Sequence, residues 1–192
     1  FRVGPPFPPP SRDFLRELQV LRREVDALKR MPSGAASISA GYLAPVPACR
    51  VYRGSSGMPL ATSTSTGVTY TDDERDTWGM HDVAVDQHRV TAPITGWYAA
   101  GAIAGIPASA GGSIREMFLV KNMDGGWNGQ RVAESSALPS SAVPARFSVC
   151  TVVFLTAGDW LSCVLFQNSG GTLTSENTST VRDEFWMCWL GN

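Results

Sequence analysis

The sequence predicts a mainly β chain: a two-layer antiparallel domain, sandwich or jelly roll, preceded by a short parallel coiled-coil helix. Three observations carry this prediction. From Cys49 onward nothing has the period of a long helix, and short alternating or apolar runs recur between Gly, Asn and Asp turns. Upstream, Phe14, Leu18, Leu21, Val25 and Leu28 repeat at spacings of 4, 3, 4 and 3. The stretch Arg89–Gly105 (RVTAPITGWYAAGAIAG) reads as a short strand, a Pro93–Gly96 turn and a second strand from Trp97 to Ile103. In that second strand Trp97 and Tyr98 point to opposite faces, and the Ala and Gly residues beyond them let neighbours come close. A ring on each face calls for cover on both sides, so this is read as a central strand.

Composition narrows the function classes. The chain has 192 residues, 43% of them hydrophobic, and a formal net charge of -1. Near neutrality gives no electrostatic case for nucleic acid or an anionic membrane surface. Pro107 and its polar flanks keep the apolar run after Trp97 shorter than the roughly 20 residues a membrane span needs. No basic stretch followed by an apolar run reads as a signal peptide, and the chain opens at Phe1, which leaves room for a segment upstream.

The elements follow in order. Phe1–Pro10 (FRVGPPFPPP) is too rich in proline for helix or central strand and is expected to be an extended arm. It is either a stiff linker or an anchoring peptide with Phe1 and Phe7 as its apolar anchors. Ser11 offers an N-cap with Asp13 in the first turn, and Pro32-Ser-Gly34 stops the helix, giving a coiled-coil helix over 11–31. Phe14, Leu21 and Leu28 take the d positions and Leu18 and Val25 the a positions, the trimerisation seam. Glu17 and Glu24 fall at g, and Arg22 and Lys29 at e, the arrangement that pairs parallel helices. So short a seam needs something attached that shares its symmetry. The a/d residues indicate a parallel oligomer without fixing the strand number.

Residues 32–48 form a linker of small residues and proline, and 49–192 the β domain. Strands are expected at Cys49–Arg53, Val68–Thr71, Ile114–Asn122, Arg131–Glu134, Arg146–Leu155, Trp160–Gln167 and Glu184–Leu190. A Ser/Thr/Gly loop fills Gly54–Thr66, and Asp72–Asp76 is read as an acidic turn. Met117 and Leu119 alternate with Phe118 and Val120, so that strand is expected to be buried on both faces. Phe185, Met187 and Trp189 share a face of the last one. The four cysteines, Cys49, Cys150, Cys163 and Cys188, fit no zinc pattern. They are expected as buried thiols in strands, with Cys49–Cys188 the bridge if the first and last strands pair.

A set of runs then stands out: Arg50-Val-Tyr-Arg53, Thr71-Asp-Asp-Glu-Arg-Asp-Thr-Trp-Gly-Met-His-Asp82, Arg89-Val-Thr-Ala-Pro-Ile-Thr-Gly-Trp-Tyr98, Leu155-Thr-Ala-Gly-Asp-Trp160 and Phe185. In that order they resemble the C1q/TNF-like jelly-roll domain, of the kind carried on bacteriophage fibres and minor tail proteins. The resemblance covers Cys49–Asn192 and rests on the P-x-x-G-x-Y element at Pro93–Tyr98 taken together with the later A-G-D turn. It implies an antiparallel jelly roll that forms a tight homotrimer, which would make the seam three-stranded. No G-X-Y repeat is present, unlike collagen-stalked members of that family. Calcium ligands known in some members do not map onto this sequence, so no metal and no cofactor is carried over.

Catalytic chemistry finds little to stand on. His81 and His88 are the only histidines, and His81 is expected to make structural hydrogen bonds, its ring oriented by Asp82. The run Asp72, Asp73, Glu74 and Asp76 lacks the glycine and distal glutamate of an EF-hand loop. Asp124 and Glu134 could be imagined as a glycosidase pair, but acids in turns are common. No nucleophile-elbow, zincin or P-loop motif is present. A different candidate is Trp127 in Asp124-Gly-Gly-Trp-Asn-Gly129, where Trp127, Asn128 and Asp124 could contact a sugar or a protein; the other reading packs Trp127 on a strand edge or a neighbouring subunit. This loop is expected to face away from the helix. Two non-enzymatic classes follow: a phage fibre or minor tail knob that binds a host cell-surface glycan or protein, and a structural virion component, such as a head fibre or decoration protein, docked on other virion proteins through its N-terminal arm.

Overall fold

The computed structural model describes residues 45–54, 56–123, 129–178 and 182–192. The coiled-coil positions Phe14, Leu18, Leu21, Val25 and Leu28 and the arm residues Phe1 and Phe7 lie outside them, as do Asp124, Trp127 and Asn128. Every regular element among the described residues is a strand: β1 (Ala48–Tyr52), β2 (Pro59–Leu60), β3 (Thr64–Gly67), β4 (Asp72–Asp76), β5 (Arg89–Thr91), β6 (Gly96–Ile106), β7 (Arg115–Lys121), β8 (Gln130–Ala137), β9 (Ala145–Leu155), β10 (Trp160–Gln167), β11 (Leu173–Thr174) and β12 (Glu184–Gly191).

Two sheets make the domain. The first has the order β4-β1-β12-β6-β9; the second has β3-β10-β7-β8, with β5 pairing the start of β10. All pairs are antiparallel, and β2 with β11 forms a short separate ladder. First and last strands are neighbours in this order, as in a jelly roll.

Period-2 alternation explains which residues fill the space between the sheets. Tyr98, Ala100, Ala102, Ala104 and Ile106 face inward from β6 and are fully buried. Opposite them stand Met117 and Leu119 from β7 and Leu161, Cys163 and Leu165 from β10. The three alanines leave room for these larger side chains and for Phe147 and Phe185 from the strands on either side. As the alternation predicts, β7 is buried on both faces: Phe118 and Val120 look outward, yet pack with Met123, Val164 and Phe166 in a second small cluster.

Several expectations are corrected. The acidic run Asp72–Asp76 is strand β4, an edge strand paired with β1, where charged side chains suit the exposed edge. Residues expected as loop contribute β2 and β3. Val68–Thr71, expected as strand, forms no ladder; Val68 and Tyr70 are buried and their N–H groups bond to the carbonyls of Cys163 and Gln87. The Cys49–Cys188 bridge does not form, although β1 and β12 do pair. Register puts Cys49 opposite Met187 and Ala48 opposite Cys188, so the two thiols stand on opposite faces. All four cysteines are free; Cys49 and Cys163 are buried, Cys188 is half-buried and Cys150 is exposed.

Strand directions sort the connections into two ends. Ala48 pairs Cys188, Trp97 pairs Gly191, Gly96 pairs Leu155, and Lys121 pairs Leu161. Pro45, the Gly96 turn, the turn after Leu155 and Asn122 therefore share one end. At the other end, Ile106 pairs Ala145 and Arg115 pairs both Gln167 and Ala137. The connections 107–114, 138–144 and 168–172 lie there.

Candidate functional site

One structural unit explains why two motifs occur together. In the P-x-x-G-x-Y element, the Tyr98 hydroxyl donates to the Ile94 carbonyl at 2.6 Å and closes the turn from within the core. Gly96 has a φ of 152°, and a Cβ there would meet Trp189 Nε1 at 2.4 Å, so a side chain is excluded. The A-G-D turn locks onto it. Gly158 N–H donates to the Ala92 carbonyl, Ala92 N–H donates to the Asp159 carbonyl, and Ala157 N–H donates to Thr95 Oγ1. Asp159 also accepts from Thr156 N–H and Asn122 Nδ2 and pairs with Lys121 at 2.8 Å. Burial works to raise its carboxyl, but Lys121, Asn122 and Thr156 outweigh it and hold it below the ordinary value. The unit fastens the two sheets at the end where the chain enters.

The second feature is the outer face of the first sheet. Trp97, Val152 and Phe154 are 48%, 58% and 45% exposed, with Ile103 and Leu190 similarly open. Trp97 and Phe154 are cross-strand partners whose rings meet edge to face, 5.5 Å apart and tilted by 74°. Trp186 lies across Gly101, where a Cβ would come within 2.6 Å of its ring; the glycine is what lets the indole lie flat on the sheet. Arg50, paired with Glu74 and Glu184 at 3.3 and 2.9 Å, borders the patch. Cover on both sides of β6 was expected from its two rings; within one chain only the inner side is covered.

Sequence reasoning missed this face for a physical reason. β9 carries apolar residues at both parities, Phe147 and Val149 inward but Val152 and Phe154 outward. Apolar residues at both parities of β9 were the available signal, while the sequence pattern marked this stretch only as a strand.

The histidine site forms, with a different partner. His81 Nδ1 lies 2.7 Å from Asp73 Oδ1, and Nε2 lies 3.3 Å from the Gln87 carbonyl. Asp82 instead accepts from Ala84 and Val85 N–H and shapes the next turn. Asp76 accepts from the N–H groups of Trp78 and His81. The acids of this region are thus hydrogen-bond acceptors for backbone and imidazole. Among the described residues no three His, Cys, Asp or Glu side chains are arranged to hold a metal ion. Glu134 is exposed on β8 beside Arg131 at 3.4 Å, while Asp124 lies outside the described residues.

Trp127, Asn128 and Asp124 themselves are not described, but the residues that flank them are. Met123 follows Asn122, whose amide bonds to Asp159, and Gln130 pairs Lys121. Asn122 and Gln130, which flank the 124–128 residues, therefore stand at the same end of the described domain as Pro45.

No protein-family model matches the sequence, and no curated protein does. Solved structures do. The globular domain of zebrafish complement 1qA aligns with a TM-score of 0.56 and 18% identity, over 77% of this chain and 100% of that one. Murine APRIL aligns with a TM-score of 0.57 and 10% identity, over 76% and 100%. Eiger TNF from S. frugiperda aligns with a TM-score of 0.56 and 14% identity, over 77% and 94%. At these identities the likeness is one of fold, and the described domain has the C1q/TNF-type jelly-roll fold.

Proposed function

We propose that this chain is a non-enzymatic homotrimeric virion appendage protein, the knob of a phage fibre or minor tail protein, which contacts the host surface. The observation that carries the oligomer is the open outer face of the first sheet. Trp97, Ile103, Val152, Phe154 and Leu190 leave a contiguous apolar area in water, bordered by the ion pairs of Arg50. Contiguous exposed apolar area with a polar rim marks an interaction surface. A second and third copy of the same chain are the occupants that fit, because the heptad seam upstream supplies a parallel partner already held alongside. Moving each large apolar side chain fully out of water contributes about 1.5–3 kcal/mol, discounted here because each is already half-covered.

The virion setting is supported by the runs from Arg50 to Phe185 that resemble phage-borne C1q-like domains and by the Pro-rich arm Phe1–Pro10, suited to docking on other virion proteins. Binding rather than catalysis is supported by the use of His81, Asp73, Asp76 and Asp82 as internal hydrogen-bond partners.

The test is the solution mass of the full chain and of Val152→Asp with Phe154→Asp. The unaltered chain is expected at three times the chain mass. In the double variant, carboxylates placed on the face cannot be buried unpaired, so the β domains separate, and the near-ultraviolet dichroism of the folded domain persists. A monomeric unaltered chain would overturn the trimer. Attachment of the trimer to a panel of bacterial strains tests the host contact; a well-folded trimer that attaches to none leaves the structural reading, head fibre or decoration protein, in its place.

A further inference from the structure

Away from the open face, between the β4–β5 connection and β5, the fold forms a half-open pocket of about 240 Å³ lined by Gly79, Met80, His81, Asp82, Asp86 and Arg89, together with Val85 and Thr91. Three properties set it apart from an ordinary surface dent. Its polar groups are fixed by the fold: Asp82 is held by the N–H groups of Ala84 and Val85, and Asp86 is ion-paired with Arg89. Arg89 is further held over the Trp160 ring, 5.1 Å from its centroid. Its lining brings acceptor and donor residues together, Asp82 and Asp86 with Arg89 and Thr91. Its lining also has apolar members, the buried Met80 and the 73% exposed Val85, while Gly79 at φ 64° has open space where a side chain would stand.

We infer that this cavity is a binding site for one neutral sugar ring. A carboxylate paired with a guanidinium suits hydroxyl groups, each of which donates and accepts at once. Apolar lining residues suit the C–H face of the ring. At about 240 Å³ the cavity lies just below the roughly 300 Å³ where pockets for drug-sized ligands begin, which fits a single pyranose. The Asp86–Arg89 pair is neutral within itself, so an anionic ligand would face Asp82 and match the lining poorly. The inference deepens the binding-module reading and rests on it for its biological use; it names a ligand class and a position, the position distinct from the 124–129 loop.

The experiment uses the full chain and the methyl glycosides of glucose, galactose, mannose and N-acetylglucosamine, read by saturation-transfer NMR and then titrated. At least one glycoside should bind. Asp82→Asn keeps an acceptor for the turn and removes the charge; Arg89→Gln removes the guanidinium. Each should weaken binding about tenfold or more, the scale of one lost charged hydrogen bond. Thr91→Val, isosteric within a strand, decides the matter if the charged variants disturb the loop, and should weaken binding several-fold. Binding of no glycoside, or of calcium ion alone, overturns the site, as does binding that all three variants leave unchanged. Attachment to the bacterial panel is measured in parallel. Attachment without glycoside binding sinks the cavity and leaves the host-contact reading standing; glycoside binding lost in the variants, without attachment, does the reverse.

Discussion

At Asp183 a carboxyl is fully buried where a loop meets three strands. It accepts from Ser175 Oγ at 3.0 Å and from Gly105 N–H at 3.3 Å, its own N–H donates to Asn177, and its carbonyl accepts from Arg53 N–H. Ser175 in turn takes the Met58 N–H. Burial pushes the carboxyl up to about 6, further than the bonds from Ser175 and Gly105 and the charges of Arg146 and Arg53 pull it down. In the unfolded chain the same group titrates near about 3.9. The folded state therefore holds the proton more tightly, so Asp183's contribution is complete below about pH 3.9 and is lost as the pH rises through about 6. A shift of about two units corresponds to about 3 kcal/mol. Asp183→Asn keeps an acceptor for Gly105 and removes the titration. Urea unfolding of both proteins from pH 4 to 7 should show the variant gaining on the unaltered chain across this window, and a pH-independent difference would mean the carboxyl stays charged in the folded state.

The elements show which parts of the fold could be read from sequence. β6, β7, β10 and β12 were legible because each is long, alternates, and is bounded by turn residues such as Gly96, Gly158 and Gly170. β3 (TSTG) and β4 (DDERD) were not, because their own side chains carry no strand signal; the ladder is imposed by β10 and β1. β2 and β11 are too short to have a period. The outer-face site was hidden for the opposite reason: its strands read as strands, but which parity faces the other sheet depends on register, and register is not written locally. The cysteines make this testable. Cys163 is buried, and burial raises its thiol to about 12; burial, with the charges of Asp76 and Asp73, raises Cys49 as well. Cys150 is exposed on the outer face of β9. Since the thiolate is the reactive form, iodoacetamide on the dissociated, folded Val152→Asp with Phe154→Asp variant followed by mass spectrometry should label Cys150 first and leave Cys49 and Cys163 unlabelled until unfolding, while in the unaltered oligomer the covered face should slow labelling of Cys150. Oxidation should yield no Cys49–Cys188 bridge; finding that bridge would shift the β1–β12 register.

For the whole molecule, the question is which part of the chain sets the oligomer. The heptad seam over 11–31 is short, and so short a seam is marginal without an attached partner of the same symmetry. The open face of the first sheet lies wholly within 45–192, and its apolar residues come from β6, β9 and β12. If that face holds the copies together, the seam adds mainly effective concentration: it keeps the chains near one another without making the contact itself. A chain starting at Pro45 should then still form the same oligomer at micromolar concentration but dissociate on dilution sooner than the full chain. Leu21→Asp with Val25→Asp in the full chain should behave like the truncation, since buried unpaired carboxylates would open the seam and leave the β domains associated. Phe154→Asp in the truncated chain should yield folded monomers, because neither contact then remains. Sedimentation over a dilution series separates these outcomes. A truncated chain that is monomeric at every concentration would place the oligomer in the helix and leave the Trp97–Phe154 face for another partner. Equal dissociation of the truncated and full chains would remove the seam from the assembly altogether.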